Sequence, residues 1–309
     1  MIYITTECQD VMTDLTIEWI ISNKKDFRRF NDSIFVEPQE LLSLKNVKKI
    51  WQRRGAFNFL PTGLKYEFTN KRELLNYVTK ENRDYNIYLE HHFRTVLGSN
   101  YIGSFTKEVS SNNKLINLDF ANEVGLDTPE YMVTCSKKEL LQFYNRHQKI
   151  ITKDLKSPVN IKTKRKNISS SGVKLLSESS IQKIQDNFAP IFLQKYIEKN
   201  FEVRIFVFNK KLYCMAIFSQ LNDDTKVDFR NDHSSNPNRC IPYTLPSAVE
   251  SKIWKLLNIL DFDTCSIDLI VTPDNQYYFL EINPMGQFHW LSSNCNYYIE
   301  KEIANFLCK

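Results

Sequence analysis

Glycine is scarce, with seven residues in a chain of 309. They are too scattered to form a Gly-x-x-x-x-Gly-Lys loop or a Gly-x-Gly-x-x-Gly turn. If a nucleotide binds here, lysines, arginines and metal must hold its phosphates. Cysteine is equally unpatterned: Cys8, Cys135, Cys214, Cys240, Cys265, Cys295 and Cys308 include no Cys-x-x-Cys pair. An odd, dispersed set argues against a disulfide framework and a structural zinc site, and suits a reducing, cytoplasmic setting. The thiols read as small buried hydrophobes. No run of 18 apolar residues occurs, so no membrane span is expected. The opening "MIYITTECQDV" lacks the basic flank of a signal peptide. A net charge of +5 is too small for a nucleic-acid footprint, so no nucleic-acid partner is expected.

What is present is an alternation of strands and helices. "MIYITT" reads as a strand, "DLTIEWIIS" as a helix, and "VKKIWQRRGAF" as a short strand running into a basic turn. The stretch from Asn70 to Ser99 carries helical spacing and reads as one or two helices. Such alternation predicts a mostly parallel sheet. A Ser/Asn-rich segment near residue 110 marks a junction. Beyond it, "NKLINLDFANEVGLDTPEYMVT" reads as a helix stopped by Gly125 and then a strand. Ser136 with Glu139, and Ser247 with Glu250, have the spacing of capping boxes. "KIITKDL" is a strand. "NIKTKRKNISSSGVKLL" reads as a basic, mobile loop between strands. "FEVRIFVFNKKLYCMAIFSQ" is a hairpin turning at Asn209-Lys210-Lys211, and the polar stretch 221–246 is long enough to be functional. Three units are expected: an N-terminal α/β domain over 1–110, a central unit over 111–191 and a C-terminal unit over 192–309. The fold class is α/β and α+β.

The stretch "SIDLIVTPDNQYYFLEINPMGQFHW" poses a chemical question. With Pro273-Asp274-Asn275-Gln276 as the turn, Thr272 pairs with Tyr277, and counting back sets Asp268 across from Glu281. Directly opposed like charges repel. Asn283, two residues beyond Glu281, shares its face. Three oxygen-bearing side chains thus converge, and a hard divalent cation such as Mg2+ is the expected occupant. A solvent-facing polar stripe on an edge hairpin is the plainer alternative.

These segments, taken in order from Lys114 to Trp290 with "IITK", "FLQKYIEKNFEVRIFVF", "DFRN" and "FLEINPMGQFHW", resemble the ATP-grasp superfamily. The Gly-Gln and Trp after Glu-x-Asn-Pro, together with "WQRRG", resemble its peptide maturases, the graspetide synthetases. The resemblance implies an ATP-grasp fold preceded by a pre-ATP-grasp α/β domain. It implies ATP and Mg2+ as cofactors, with Asp268, Glu281 and Asn283 as metal ligands. Lys153 and Lys114 would contact phosphates, Gln194, Lys195, Tyr196 and Ile197 would meet the adenine, and Glu202 would hold the ribose, with Glu198 as its competitor. Arg204 and Arg230 would face the transferred phosphoryl group, since guanidinium binds phosphate bidentately. An arginine on the apolar run "FEVRIF" is costly unless paired. A solvated Arg230 paired with Asp228 or Asp232 is the plainer reading of that residue.

The implied reaction activates an Asp or Glu side chain of a precursor peptide as an acyl phosphate. A Ser or Thr hydroxyl or a Lys amine of the same peptide then captures it, closing an ester or amide ring. The resemblance also implies a leader segment on that peptide, with the 221–246 stretch and Arg53-Arg54 as candidate docking surfaces, and it suggests a homodimer. An ATP-grasp ligase for small molecules and a non-catalytic nucleotide-binding scaffold are the competing readings. His91-His92 read as surface or partly buried histidines without a metal-ligand spacing, and His289 lies nearer the site. The charge run Lys162–Lys166 reads as a solvated loop, with cover for the phosphates or contact with an acidic peptide as the alternative.

Overall fold

Alternating apolar runs at the start of the chain become a parallel sheet of four strands, β1 (Ile2–Thr6), β2 (Phe27–Asn31), β3 (Lys49–Gln52) and β4 (Tyr101–Ile102), ordered β2-β1-β3-β4. The expectation of parallel strands holds. Three helices connect them: α1 (Val11–Ser22), α2 (Pro38–Leu42) and α3 (Lys71–Leu97), the last a single unbroken helix. This is a computed structural model, and it describes residues 1–31, 33–60, 71–155, 160–162, 167–169, 172–222, 225–231 and 237–309.

Helix α4 (Lys114–Glu123) opens the next part, capped by the Asn113 side chain on the Leu115 and Ile116 amides. Gly125 follows it at φ +80, a conformation that suits glycine. A second sheet, ordered β5-β10-β6-β9, is antiparallel: β5 (Tyr131–Ser136), β6 (Ile150–Lys153), β9 (Lys174–Leu175) and β10 (Asn187–Lys195). Strand β10 runs through residues 191 and 192, so the boundary expected there falls inside a strand. Helices α5 (Lys137–His147) and α6 (Glu178–Gln182) pack on this sheet. In place of the expected loop, β7 (Asn160–Lys162) and β8 (Asn167–Ser169) pair as a hairpin. Most of the charge run there, residues 163–166, lies outside the described residues.

The third sheet is antiparallel and ordered β13-β12-β11-β14-β15: β11 (Phe201–Phe208), β12 (Lys211–Phe218), β13 (Arg239–Pro242), β14 (Thr264–Val271) and β15 (Tyr277–Asn283). Asn209 and Lys210, both at positive φ, make the two-residue turn between β11 and β12. Both faces are covered. Val203, Ile205, Val207, Ile267 and Leu269 pack under α4 and α7 (Ser247–Leu260). On the other face, Phe206, Phe208 and Met215 meet Ile4 and Trp51 of the first sheet, with α8 (His289–Cys295) and α9 (Ile299–Cys308) beside them. Fully burying a side chain such as Phe206 contributes on the order of 1.5–3 kcal/mol. The strand period therefore puts Glu202 and Arg204 on the same face as Phe206 and Phe208, just beyond the apolar contact.

Neither expected capping box forms. The Ser136 side chain makes no cap, because Glu139 accepts from Thr134 Oγ1 and the Ser136 amide donates to Thr134 Oγ1 at 3.0 Å. Helix α7 starts one residue earlier than expected, with Pro246 at its N-cap, and Glu250 accepts from Trp254 Nε1 instead. The reciprocal box belongs to Ser177 and Ser180 at α6. The cysteines are all free, but Cys8 and Cys135 are exposed, against the expectation that all are buried. Among the described residues, no helix is long and apolar enough to cross a membrane.

Gly286, just past β15, is fixed by close approach. A Cβ there would sit 1.9 Å from Ser266 Oγ and 2.6 Å from the Ser266 amide nitrogen. Because backbone cannot yield as a flexible side chain can, Gly286→Ala should cost about 1–3 kcal/mol or more. Thermal unfolding will read this as a Tm several degrees lower; an unchanged Tm would show that the turn relaxes freely.

Candidate active site

Asp268 does stand opposite Glu281, but not by a regular ladder. Val271 pairs with Tyr277, Ile270 with Tyr278 and Leu269 with Phe279, and the register then shifts before Asp268 meets Glu281. Thr272 lies outside the ladder, its amide bonded to Gln276 O at 3.0 Å. The expected register was one residue off at the turn, and a β-bulge at Leu280 restores the Asp268–Glu281 pairing. Such bulges re-aim side chains, here in the middle of the edge strand β15.

The repulsion expected between these carboxylates is offset by cations of the protein itself. Asp268 accepts from Arg204 Nη1 at 2.8 and 2.7 Å, and the two residues are direct cross-strand partners. Glu281 lies 3.4 Å from Lys114 Nζ and 3.8 Å from Arg230 Nη1. Burial alone would raise the Glu281 pKa, but Lys114, Lys153, Arg230 and Arg204 bring it down to about 2. Asp268 goes the other way, because burial outweighs the pull of Arg204. Lys153 ends β6 as expected. Burial, with Lys114 adding repulsion, lowers its pKa to about 8.

A cleft opens between the second and third sheets. Gln194, Lys195, Tyr196 and Ile197 form one wall; Lys153, Arg230, Asp268 and Glu281 form the far end, with Glu202 between. Three of the expected residues do not line it. Arg204 and Lys114 lie behind the carboxylates they pair with, and Lys114 also donates to Asp154 O at 2.9 Å. Asn283 turns its amide oxygen to the Met285 N–H at 3.0 Å.

Glu202 and its competitor separate cleanly. Glu198 is exposed and paired with Lys149 at 2.7 Å, away from the cleft. Glu202 is buried, held by Lys199 Nζ and Ser219 Oγ. Burial raises its pKa against both partners. Glu202→Gln should therefore weaken nucleotide binding about tenfold or more, the scale of an interaction with a charged hydrogen-bonding group, while Glu198→Gln changes it less than twofold. Titration with a fluorescent ATP analogue will separate the two, and equal effects would contradict the assignment.

Arg230 sits in a short 3-10 helix, Phe229–Asn231, its Nε and Nη2 on Asp228 at 2.8 and 2.9 Å. The pairing anticipated as the plainer reading is thus real, yet the same guanidinium reaches Glu281. Asp232 lies outside the described residues, as do parts of the 221–246 stretch. Arg53, expected at a docking surface, is instead buried beside Asp10 at 3.4 Å. His289 bonds Glu300 through Nδ1 at 2.9 Å, on α8.

The residues fit the ligands implied earlier. Gln194 Nε2 is buried with no partner, as a group waiting for the edge of a base would be. Asp268, Glu281 and Asn283 offer only oxygen, the donor type of Mg2+. No cluster of three His, Cys, Asp or Glu suited to a metal occurs among the described residues. A metal here would take its remaining ligands from phosphates, the usual arrangement for Mg2+. Lys199 and Ser219 were not anticipated. They reach the site from irregular segments, where no periodicity marks them.

A profile described as a RimK-like ATP-grasp domain matches residues 112–307. Solved structures match over 99% of the chain. A Chryseobacterium gregarium RiPP-associated ATP-grasp ligase, in complex with ADP and a leader and core peptide, shares 24% identity at a TM-score of 0.75 over 95% of its own chain. The macrocyclase MdnC of Microcystis aeruginosa MRC, bound with precursor peptide MdnA, shares 24% at 0.73 over 98%. The ATP-grasp ligase PsnB, complexed with a phosphomimetic variant of a minimal precursor, Mg and ADP, shares 13% at 0.73 over 97%. No curated protein sequence matches the chain.

Proposed function

Because the chain belongs to the RimK-like ATP-grasp family, we propose that it is an ATP-dependent ligase that closes rings in a ribosomally made precursor peptide. The observation that carries this is the extent of the likeness: it covers 99% of the chain, so it includes the N-terminal parallel sheet that lies outside the family domain. The fold supplies the cleft, and the peptide-bound relatives supply the substrate class.

The adenine would lie against Gln194–Ile197, the ribose at Glu202 and the phosphates among Lys153, Lys114 and Arg230. Mg2+ held by Asp268, Glu281 and Asn283 would neutralise phosphate charge. A substrate carboxylate attacks the γ-phosphorus, ADP leaves, and the acyl phosphate stays in the cleft. A hydroxyl or amine of the same peptide then attacks that carbonyl and expels phosphate, giving an ester or amide. Positioning and charge neutralisation dominate phosphoryl transfer, so no covalent enzyme nucleophile is needed. A leader segment on the peptide, a second copy of the chain and a cytoplasmic setting belong to the same reading.

Incubation with ATP, Mg2+ and an acidic, Thr- and Lys-containing peptide encoded beside the gene tests it. Each ring removes one water, about 18 Da, with one ADP formed per bond. ADP release with free amino acids or small amines and no peptide change would instead point to a small-molecule ligase.

A further inference from the structure

The turn that follows Asn283 is gripped from another part of the fold. Arg53, just past β3 of the N-terminal sheet, donates through Nη1 to Met285 O at 3.2 Å. The Met285 N–H donates to Asn283 Oδ1 at 3.0 Å, and the Gly286 N–H to Asn283 O at 3.2 Å. One residue thus has its carbonyl fixed by Arg53 while its amide fixes the Asn283 side chain. Arg53 is itself immobilised. Its side chain is 4% exposed, its Nε lies 3.4 Å from Asp10 Oδ2, and that oxygen accepts from Thr6 Oγ1 at 3.0 Å and Thr13 Oγ1 at 2.8 Å. Its guanidinium lies 5.5 Å from the centre of the Phe288 ring, and Met12 Sδ accepts from the Phe288 amide at 3.3 Å. Arg53 and Asp10 both belong to the N-terminal part, so the link across is the Arg53–Met285 hydrogen bond, made by a buried charge at a desolvation cost that an apolar contact would avoid. Its geometric precision is what an apolar contact lacks, since a guanidinium fork fixes direction.

We propose that Arg53 is a positioning residue for the metal end of the cleft: through Met285 it orients the Asn283 carboxamide. The N-terminal sheet, which contributes no residue to the cleft wall, thereby sets the geometry of one ligand. The inference rests on the preceding reading of Asn283 as a metal ligand. Loss of a direct outer partner of a metal ligand typically weakens metal binding 10–100-fold; Arg53 stands one step further out, on Met285, so the lower end of that range is expected here.

The experiment measures Mn2+ binding by electron paramagnetic resonance, with a nonhydrolysable ATP analogue present, in the full chain. It compares wild type with Arg53→Lys, Asn283→Ala and the double variant. Arg53→Lys keeps a charge beside Asp10 but loses the fork; Arg53→Gln serves if it does not fold. The expected result is Mn2+ affinity lowered about tenfold by Arg53→Lys, with analogue binding in chelator unchanged. The double variant should bind no more weakly than Asn283→Ala, because residues acting through one another are not additive. A lower Tm with unchanged Mn2+ affinity would show a purely structural role and overturn the proposal, and so would full additivity. If wild type binds the analogue with no Mn2+ dependence, the metal assignment itself fails and takes this inference with it.

Discussion

Glu281→Gln is expected to lower kcat by about 10³-fold or more, the scale felt when one preorganised charge is removed from a reacting centre. It should also change stability in an unusual way. Glu281 keeps its charge in the folded chain down to about pH 2, against an ordinary value of 4.5. That depression corresponds to about 3 kcal/mol. The stabilisation is complete above pH 4.5 and is lost as the pH falls toward 2. Asp268, whose pKa is raised by burial, works in the opposite sense and offsets part of it. Metal-free Glu281→Gln protein should therefore be less stable at pH 7 and should lose less on acidification than wild type. Urea unfolding at pH 7 and at pH 3, in chelator, reads both. Equal stability at pH 7 would mean that Lys114, Lys153, Arg204 and Arg230 are not held in place by Glu281.

The second large effect belongs to Arg230. Its guanidinium is fastened to Asp228 on one side and reaches Glu281 at 3.8 Å on the other. This is a preset fork at the end of the cleft where phosphate oxygens would lie. Arginines that stabilise transferring phosphoryl groups contribute about 10³–10⁵ in kcat, so Arg230→Ala should lose at least 10³-fold. Arg230→Lys should recover little, since an ammonium cannot hold Asp228 and a phosphate through one planar group. The side chain is half-exposed, so Tm should move little. Single-turnover ADP formation is the measurement to make. A loss below tenfold would return Arg230 to the role of a surface partner of Asp228.

Much of this site could be read from the strand period. Counting back from a turn found Asp268 opposite Glu281, and alternation put Asn283 on the Glu281 face, although Asn283 turns to Met285 and does not line the cleft. The count was right at the carboxylates only because the bulge at Leu280 cancelled a one-residue error at Thr272, and no residue in "YYFLEIN" announces a bulge. Glu198 and Glu202 illustrate the same limit. Both follow the Gln194 segment, and only the bend between β10 and β11 sends one to solvent and the other into the cleft. The serine caps failed because spacing reports a helix start but not which acceptor a neighbouring Thr134 or Trp254 will claim. Arg53 was misplaced for a different reason. A pair of arginines after a strand looks like surface, and its burial depends on Met285, 232 positions away. Contacts of that range have no local signature.

The balance of charge in the cleft also bears on the order of events. In the cleft and directly behind it, six cationic side chains, Lys114, Lys153, Lys195, Lys199, Arg204 and Arg230, stand against four carboxylates, Glu202, Asp228, Asp268 and Glu281. A small free dication approaching this surplus is repelled, whereas a polyanion is drawn in. Capture should therefore begin with the triphosphate, which carries its metal in rather than finding it there. The capture rate should fall as ionic strength rises, while the steps after capture, sealed from bulk ions, stay nearly constant.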